Sequence, residues 1–527
     1  METKLDRRTV VAGAAAGAGL IGLSGAARAA VAAPVVDTTQ GKIRGYADGR
    51  VNIFKGVPYG EPTGGANRFA APKKRAPWPG IKDTVVYAGQ SPQNVAPIPL
   101  LIEGSRSKEA MSEDCLYLNV WTPAVGGAAN RPVMVWFHGG GYSGGSGAAT
   151  WYDGTRLAGR HDAVVVTVNH RLNIFGFTYL AELGGARYAD SGMAGMLDCV
   201  AALEWVRDNI GNFGGDAKNV TIFGESGGAG KVSTLMAMPP ARGLFHRAVA
   251  ESGAALRHMT PAAATESSRK LLATLGIAPN QIDRIHQVSD TALLAAMAKT
   301  QGAAFGPTVD GRSLPANPFD PGAPAVSANV PFMTGSNLTE STFLAVTPLD
   351  PIDEAGLQNF VRGYLKVDDA EARRLIALYR SDYPGRDPLW ISQLISTDYW
   401  MRDQVITQAT RKAALGPAPT YVYHFAWVTP SKLNCPHGTE IPFAFDNVDR
   451  AADLLGTGAA RQPLADKMSA AWVAFARTGN PSIPGLAWPA YTAATRATMV
   501  FDNDTRVQMD PYPRQRVAIA ELKARQA

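Results

Sequence analysis

The chain has 527 residues, of which 46% are hydrophobic and 18% are charged. This composition excludes an intrinsically disordered chain and provides enough apolar side chains for a large core. The net charge of +6 comes from basic residues scattered along the sequence, so we expect a mildly basic surface and no nucleic-acid partner.

The first 29 residues have the layout of an export signal. Arg7 and Arg8 precede an uncharged stretch of mostly alanine and glycine, which ends in the small-x-small motif at residues 27–29. Paired arginines before such a stretch are typical of twin-arginine signal peptides. A membrane anchor is the alternative, but alanine and glycine contribute little transfer free energy. We therefore expect a signal peptide at 1–29, and a mature protein that is periplasmic or secreted without stable membrane insertion.

The predicted elements after this signal alternate between strands and helices. In chain order, short β-branched or aromatic runs predict strands at 133–137, 163–168, 220–223, 246–252, 331–335, 420–427 and 498–502. Longer periodic stretches predict helices at 201–210, 231–238 and 466–478. This alternation predicts an α/β fold with a mostly parallel sheet covered on both faces. We expect residues 30–527 to form a single domain, with its chemistry at the carboxyl ends of the strands.

The segment TIFGESGGAGKVS (221–233) fits two functional patterns. A phosphate-binding loop requires a glycine, four residues and then Gly-Lys-Ser/Thr. Here Val232 follows the Gly-Lys pair, and Glu225 stands where the first glycine is needed. A nucleophile elbow requires Gly-x-Ser-x-Gly between a strand and a helix, and both elements are predicted around Ser226. The sequence therefore favours Ser226 as a nucleophile.

A glycine-rich loop follows the predicted strand at 133–137. It contains a second Gly-x-Ser-x-Gly match around Ser143, but no helix directly follows that serine, so we interpret it as a chance match. The loop begins HGGG at residues 138–141. Such a loop after an early strand is the oxyanion loop of esterases and lipases with a nucleophile elbow.

Longer motifs around these residues resemble the type-B carboxylesterases, a family that also contains the cholinesterases. The matching stretches are FKGVPYGEP (54–62), EDCLYLNVWTP (113–123) and residues 213–228. The resemblance implies an α/β-hydrolase fold, with a large, mostly parallel central sheet flanked by helices and with loop and helical insertions over the active site. It also implies a carboxylic ester hydrolase whose partners are a small ester and water, with no cofactor and no metal.

The resemblance also implies the partners of Ser226. The acid is expected at Glu340 in GSNLTE, although Ser341 stands where the family usually has glycine. The base is expected at His437 in HGTE, in a loop after the strand predicted at 420–427. The chain order nucleophile, acid, base is the order expected for this fold.

The implied mechanism forms an acyl-enzyme and hydrolyses it with water. The backbone N–H groups of Gly140, Gly141 and Gly227 are expected to bind the oxyanion of the tetrahedral intermediate. By resemblance to acidic residues near the cholinesterase triad, Glu225 and Glu440 are expected either to line the site or to support its loops.

Two departures from the family pattern narrow these expectations. Ser91 stands where the family often has the disulfide partner of Cys115, so the resemblance implies a free thiol there. No aromatic residue lies between Tyr87 and Tyr117, where cholinesterases carry a choline-binding tryptophan.

A lipase for longer-chain esters is the nearest alternative function, and a non-catalytic binding protein that resembles the family's adhesion members is a remote one.

Overall fold

The computed structural model describes residues 33–94, 104–128, 130–342 and 346–526. The expected signal peptide at 1–29 lies outside these residues. No helix within them is long and apolar enough to cross a membrane.

The strands have 3 to 11 residues, and those at the centre of the sheet are largely buried. They are β1 (Val35–Thr38), β2 (Gly41–Arg44), β3 (Tyr46–Asp48), β4 (Val51–Pro58), β5 (Ile81–Asp83), β6 (Tyr117–Thr122), β7 (Arg131–Phe137), β8 (Val164–Val168), β9 (Gly215–Glu225), β10 (Arg247–Glu251), β11 (Phe332–Asn337), β12 (Thr420–Phe425), β13 (Ala497–Phe501) and β14 (Arg506–Met509). Every residue of β8, with the sequence VVVTV, is buried, as expected for a strand covered on both faces.

The central sheet has 11 strands in the order β14-β13-β12-β11-β10-β9-β7-β8-β6-β4-β3. Strands β8, β7, β9, β10, β11, β12 and β13 run parallel to their neighbours in this series. Antiparallel strands extend the sheet at both edges. A separate 3-stranded sheet contains β1, β2 and β5.

Helices connect the parallel strands and pack on the sheet. They are α1 (Thr155–His161), α2 (Asn173–Phe177), α3 (Ala181–Gly184), α4 (Ala194–Asn209), α5 (Gly227–Leu235), α6 (Pro261–Thr274), α7 (Asp290–Lys299), α8 (Glu354–Leu365), α9 (Asp369–Asp382), α10 (Pro388–Thr397), α11 (Asp403–Leu415), α12 (Ile441–Ala444), α13 (Ala452–Leu455), α14 (Arg461–Thr478) and α15 (Pro513–Gln526). A π-helical turn at Asp398–Arg402 joins α10 to α11.

The core lies on both faces of the sheet, and β7 shows how one strand serves both. Val133, Val135 and Phe137 pack in a cluster that includes side chains of α4 and α5. Met134 and Trp136 pack in a second cluster with side chains of α14. Successive strand residues point to opposite faces, so a continuous apolar run fills two cores.

The predicted strands and helices are confirmed, with different ends. Strand β9 begins at Gly215, ahead of the predicted 220–223. Helix α5 begins directly after Ser226 and ends at Leu235, whereas the prediction continued to Met238. Pro239 follows Met238, and a residue before proline is disfavoured in the helical region. Met238 is extended, with φ of −93° and ψ of 115°.

Candidate active site

The candidate nucleophile lies in a sharp turn between β9 and α5. Ser226 has φ of 56° and ψ of −122°, a strained combination for a residue other than glycine. A Cβ atom on Gly228 would overlap the carbonyl oxygen of Phe137 at the end of β7. Glycine at that position therefore lets α5 start against the neighbouring strand. Ser226 is partly exposed, while the residues on either side of it are buried.

The glycine loop, residues 138–141, lies directly beside this turn. Gly140 and Gly141 have positive φ values of 88° and 64°, which glycine adopts without steric cost. A Cβ atom on Gly227 would overlap the backbone of Gly141, so the loop and the first residue of α5 are in contact. Among the described residues, the N–H groups of Gly140 and Gly141 donate no hydrogen bond, and that of Gly227 donates none to a group outside its own helix.

The candidate acid and base are joined by a short hydrogen bond. Glu340 lies in a single turn after β11, and His437 lies in the loop after β12. His437 Nδ1 lies 2.5 Å from Glu340 Oε2. The other Glu340 oxygen accepts a 2.6 Å hydrogen bond from the backbone N–H of Asn337. With Nδ1 donating to a carboxylate, Nε2 of the neutral imidazole is left as an acceptor.

Ser341 fits the turn in which the family pattern has glycine. Its backbone does not adopt a positive φ, so a side chain is accommodated without strain. The Ser341 hydroxyl is 2.7 Å from Ser396 Oγ and 3.1 Å from Thr397 Oγ1. The substitution therefore adds contacts between this turn and α10.

The serine and the histidine are not hydrogen-bonded to each other in the described structure. No hydrogen bond involves Ser226 Oγ among the described residues. Instead, His437 Nε2 faces Glu225 Oε1 at 3.2 Å. Catalytic hydrogen bonds often tighten only when substrate is bound, so this arrangement is compatible with proton transfer from Ser226.

Two further buried carboxylates surround the histidine loop. Glu440 accepts hydrogen bonds from Ser252 Oγ and from Asn337 Nδ2. Glu251, at the end of β10, accepts a 2.9 Å hydrogen bond from the indole of Trp472. Both glutamates are fully buried. Glu440 therefore joins the ends of β10 and β11 to the loop after β12.

Burial and mutual repulsion alter the proton affinities of this cluster. Burial raises the pKa of Glu225 to about 8, and the Glu440 and Glu340 carboxylates add to the effect. Burial also raises the pKa of Glu440 to about 7. Burial opposes the charged form of His437, but the Glu225 and Glu340 carboxylates outweigh it and raise the pKa of its imidazole. Such coupled groups titrate together rather than as separate residues.

Sequence reasoning missed two side chains next to the site. The sequence patterns include Lys231 only as part of a phosphate loop, although a lysine in an otherwise uncharged helix is itself a signal of a buried cation. Trp400, in the π-helical turn, has its ring 5.6 Å from the His437 imidazole. No sequence pattern pointed to Trp400. Such turns are frequent at functional sites.

No group of three or more His, Cys, Asp or Glu side chains within the described ranges could hold a metal ion. Cys115, Cys199 and Cys435 are free and buried. Burial raises the pKa of the Cys115 thiol.

The sheet order, the strained serine turn after a central strand and the adjacent glycine loop define an α/β-hydrolase fold. The profile described as the carboxylesterase family matches residues 32–519. A para-nitrobenzyl esterase of Bacillus subtilis is 36% identical over 495 residues, covering 92% of this chain and 97% of that protein.

Solved structures give the same result. A carboxylesterase of Geobacillus stearothermophilus, EST55, superposes with a TM-score of 0.80 at 36% identity, covering 92% of this chain and 99% of the other. An esterase of Clostridium hathewayi, described as able to hydrolyse aliphatic aromatic polyesters, has a TM-score of 0.81 at 33% identity, with coverages of 93% and 98%. The chain belongs to the carboxylesterase family and is a carboxylic ester hydrolase. Its reactants are therefore an ester and water.

Proposed function

We propose that the protein hydrolyses carboxylic esters through an acyl-enzyme on Ser226, with His437 as the general base and Glu340 as the acid that orients it. The observation that carries the proposal is the 2.5 Å contact between His437 Nδ1 and Glu340 Oε2. It pairs a buried carboxylate with a histidine whose other ring nitrogen faces Glu225, the residue before Ser226, in the chain order that the α/β-hydrolase fold uses.

The proposed reaction begins when His437 Nε2 takes the proton from Ser226 Oγ. The oxygen attacks the ester carbonyl, and the electrons of the C=O bond move to the carbonyl oxygen. Glu340 stabilises the imidazolium that forms. The tetrahedral intermediate then expels the alcohol, which leaves with the proton from His437. Water attacks the acyl-enzyme by the same steps, which releases the acid and restores Ser226.

The N–H groups of Gly140, Gly141 and Gly227 are proposed to bind the oxyanion. In the described structure, none of the three donates to an acceptor outside its own loop or helix. Gly227 is also the first residue of α5, where the helix dipole favours negative charge. Donors that are already oriented stabilise charge as it develops, and the loss of one typically costs a factor of about 10²–10³ in kcat.

The test is hydrolysis of p-nitrophenyl esters from acetate to palmitate by the wild type and by Ser226→Ala. We expect kcat/KM to peak at short acyl chains and the variant to lose activity. Ser143→Ala, in the second Gly-x-Ser-x-Gly match, is the matched control and should retain activity. A serine-dependent peak at long chains would indicate a lipase, and full activity of Ser226→Ala would exclude the proposed nucleophile.

We also propose that residues 1–29 are a twin-arginine signal and that residues 30–527 are the mature, exported domain. The paired Arg7 and Arg8 and the small-x-small motif support this. The three free, buried cysteines also suit export in the folded state, because folding then needs no oxidising compartment. The test is the intact mass of the exported protein, which should begin at residue 30, and replacement of both arginines by lysine should block export. A full-length protein in the membrane fraction would indicate an anchor instead.

A further inference from the structure

Lys231 is a fully buried lysine behind the glycine loop. It lies in α5, and its ammonium Nζ donates to the carbonyl oxygen of His138 at 2.9 Å and to that of Gly141 at 3.1 Å. These acceptors are the first and last residues of the loop. One cation therefore binds both ends of the segment that carries two of the proposed oxyanion donors.

This ammonium has no carboxylate partner in the described structure, where no salt bridge includes Lys231. Burial lowers the pKa of Lys231 to about 8, and Cys199 and Glu225 act against this shift. The imidazole rings of His138 and His170 stack on each other, with their centroids 4.9 Å apart. Burial, together with Lys231, lowers the pKa of His138 to about 3 and lowers that of His170. Lys231 is thus a lone buried cation, which costs free energy unless its contacts compensate.

In the glycine loop, the backbone carbonyls have hydrogen-bond partners, whereas two of the backbone N–H groups have none among the described residues. All its carbonyls have partners: those of His138 and Gly141 accept from Lys231, that of Gly139 contacts His138 Nδ1, and that of Gly140 accepts from the following turn. By contrast, the N–H groups of Gly140 and Gly141 donate to nothing among the described residues. Each planar peptide joins a carbonyl to the N–H of the next residue, so the contacts of the Gly139 and Gly140 carbonyls fix the N–H groups of Gly140 and Gly141. Lys231 fixes the peptides on either side of these two, because it binds the carbonyls of His138 and Gly141.

We propose that Lys231 is a positioning residue for the oxyanion. It anchors both ends of the glycine loop so that the N–H groups of Gly140 and Gly141, on the peptides between its two acceptors, face the reacting carbonyl oxygen, and its positive charge lies against the two flanking peptides. Both effects favour the transition state, where the oxygen is negative, over the bound ester, where it is neutral. The proposal rests on the proposed reaction at Ser226 and deepens it.

The experiment compares Lys231→Met and Lys231→Gln with the wild type. Gln keeps a donor but not the charge. Lys412→Met is the matched control. Lys412 lies in α11, is also fully buried, and donates to the backbone carbonyl of Ala328. The readouts are kcat and KM for p-nitrophenyl acetate and the inhibition constant of an aryl trifluoromethyl ketone. The serine adds to that ketone, its proton passes to His437, and the ketone oxygen becomes an oxyanion.

We expect Lys231→Met to lower kcat about 10–100-fold, less than removal of a direct donor, with KM within about threefold. The ketone should bind more weakly by a similar factor, and Lys231→Gln should lie between Lys231→Met and the wild type. Lys412→Met should leave all three values near wild type.

Several outcomes would overturn the proposal: an unchanged kcat, an equal loss of ester and ketone binding, or failure of both Lys231 variants to fold while Lys412→Met folds. The last would make Lys231 purely structural. Ser226→Ala is measured in parallel to separate the two proposals. If it retains activity, the proposed reaction itself is wrong. If it is inactive while Lys231→Met matches the wild type, only the role of Lys231 is wrong.

Discussion

Glu340 is a fully buried carboxylate whose two oxygens accept from different partners, the His437 ring and the backbone N–H of Asn337. The backbone contact fixes the orientation of the carboxylate, and the carboxylate in turn fixes the ring. Glu225 differs, because it faces the other ring nitrogen, at 3.2 Å. The two glutamates are therefore expected to respond differently to loss of charge.

Replacing Glu340 with Gln should lower kcat for p-nitrophenyl acetate by about 10³–10⁴-fold, because the amide cannot stabilise the imidazolium. Steady-state kinetics at neutral pH would measure this loss, and circular dichroism would verify the fold. Glu225→Gln is the comparison and should retain far more activity. If Glu340→Gln were fully active and Glu225→Gln inactive, the role of the acid would belong to Glu225.

Replacing Glu225 with Gln should move the acid limb of the kcat/KM profile to lower pH. His437 accepts a proton only when neutral, so activity rises as pH passes through its folded-state pKa, which the Glu225 and Glu340 carboxylates raise. Removing one carboxylate lowers that pKa. Glu266→Gln, at an exposed position of α6, should leave the limb in place. An unchanged limb in Glu225→Gln would show that the Glu225 side chain is uncharged over that range.

At the scale of elements, the site depends on how closely α5 approaches the end of β7. Gly224 and Gly228 both face the carbonyl oxygen of Phe137, and a Cβ atom on either would overlap that oxygen. The serine turn, α5 and the glycine loop that follows β7 are therefore packed backbone against backbone. A change in this packing would alter the strained serine and the proposed oxyanion donors together.

Gly228→Ala should lower the free energy of unfolding by about 1–3 kcal/mol, as expected when an atom is forced into a packed interior, and should lower kcat as well. Urea unfolding and p-nitrophenyl acetate kinetics would measure the two effects. Gly211→Ala is the control, since a Cβ atom there would meet nothing within 4 Å. If both variants had wild-type stability and activity, the close approach of α5 to β7 would not be required.

At the scale of the whole molecule, the sheet is covered on both faces, and buried polar side chains link the loops and helices that connect its strands. Arg171, after β8, pairs with Asp198 of α4 through Nε and Nη2, at 2.8 and 2.7 Å. The side chains are 2% and 0% exposed. Removing one partner would leave the other as an uncompensated buried charge, so the pair matters for the stability of the fold.

Asp198→Asn should lower the free energy of unfolding by about 3–5 kcal/mol, the usual cost of breaking a buried ion pair from one side. Urea unfolding at neutral pH would measure it. Asp37→Asn, in the exposed pair with Lys42, should cause no measurable change. Equal stabilities of the two variants would show that the buried pair is dispensable.

Much of the fold and of the candidate site follows from local sequence. The strands and their alternation with helices were predictable because burial on both faces requires continuous apolar runs. The turn at Ser226 was recognisable because a strand-to-helix turn of this kind needs glycines at fixed positions. Glu340 and His437 came from resemblance to a family, and their catalytic roles stay predictions, although the structure brings the two side chains into contact.

The tertiary structure alone decided which distant groups meet. Glu251 and Ser252 come from the end of β10, Asn337 from the end of β11 and Glu440 from the loop after β12, and the parallel register of these strands brings them together. Lys231 reaches the glycine loop for a similar reason, because β7 and β9 are neighbours although other elements separate them in the chain. Such contacts depend on strand order and on burial, neither of which a local sequence pattern encodes.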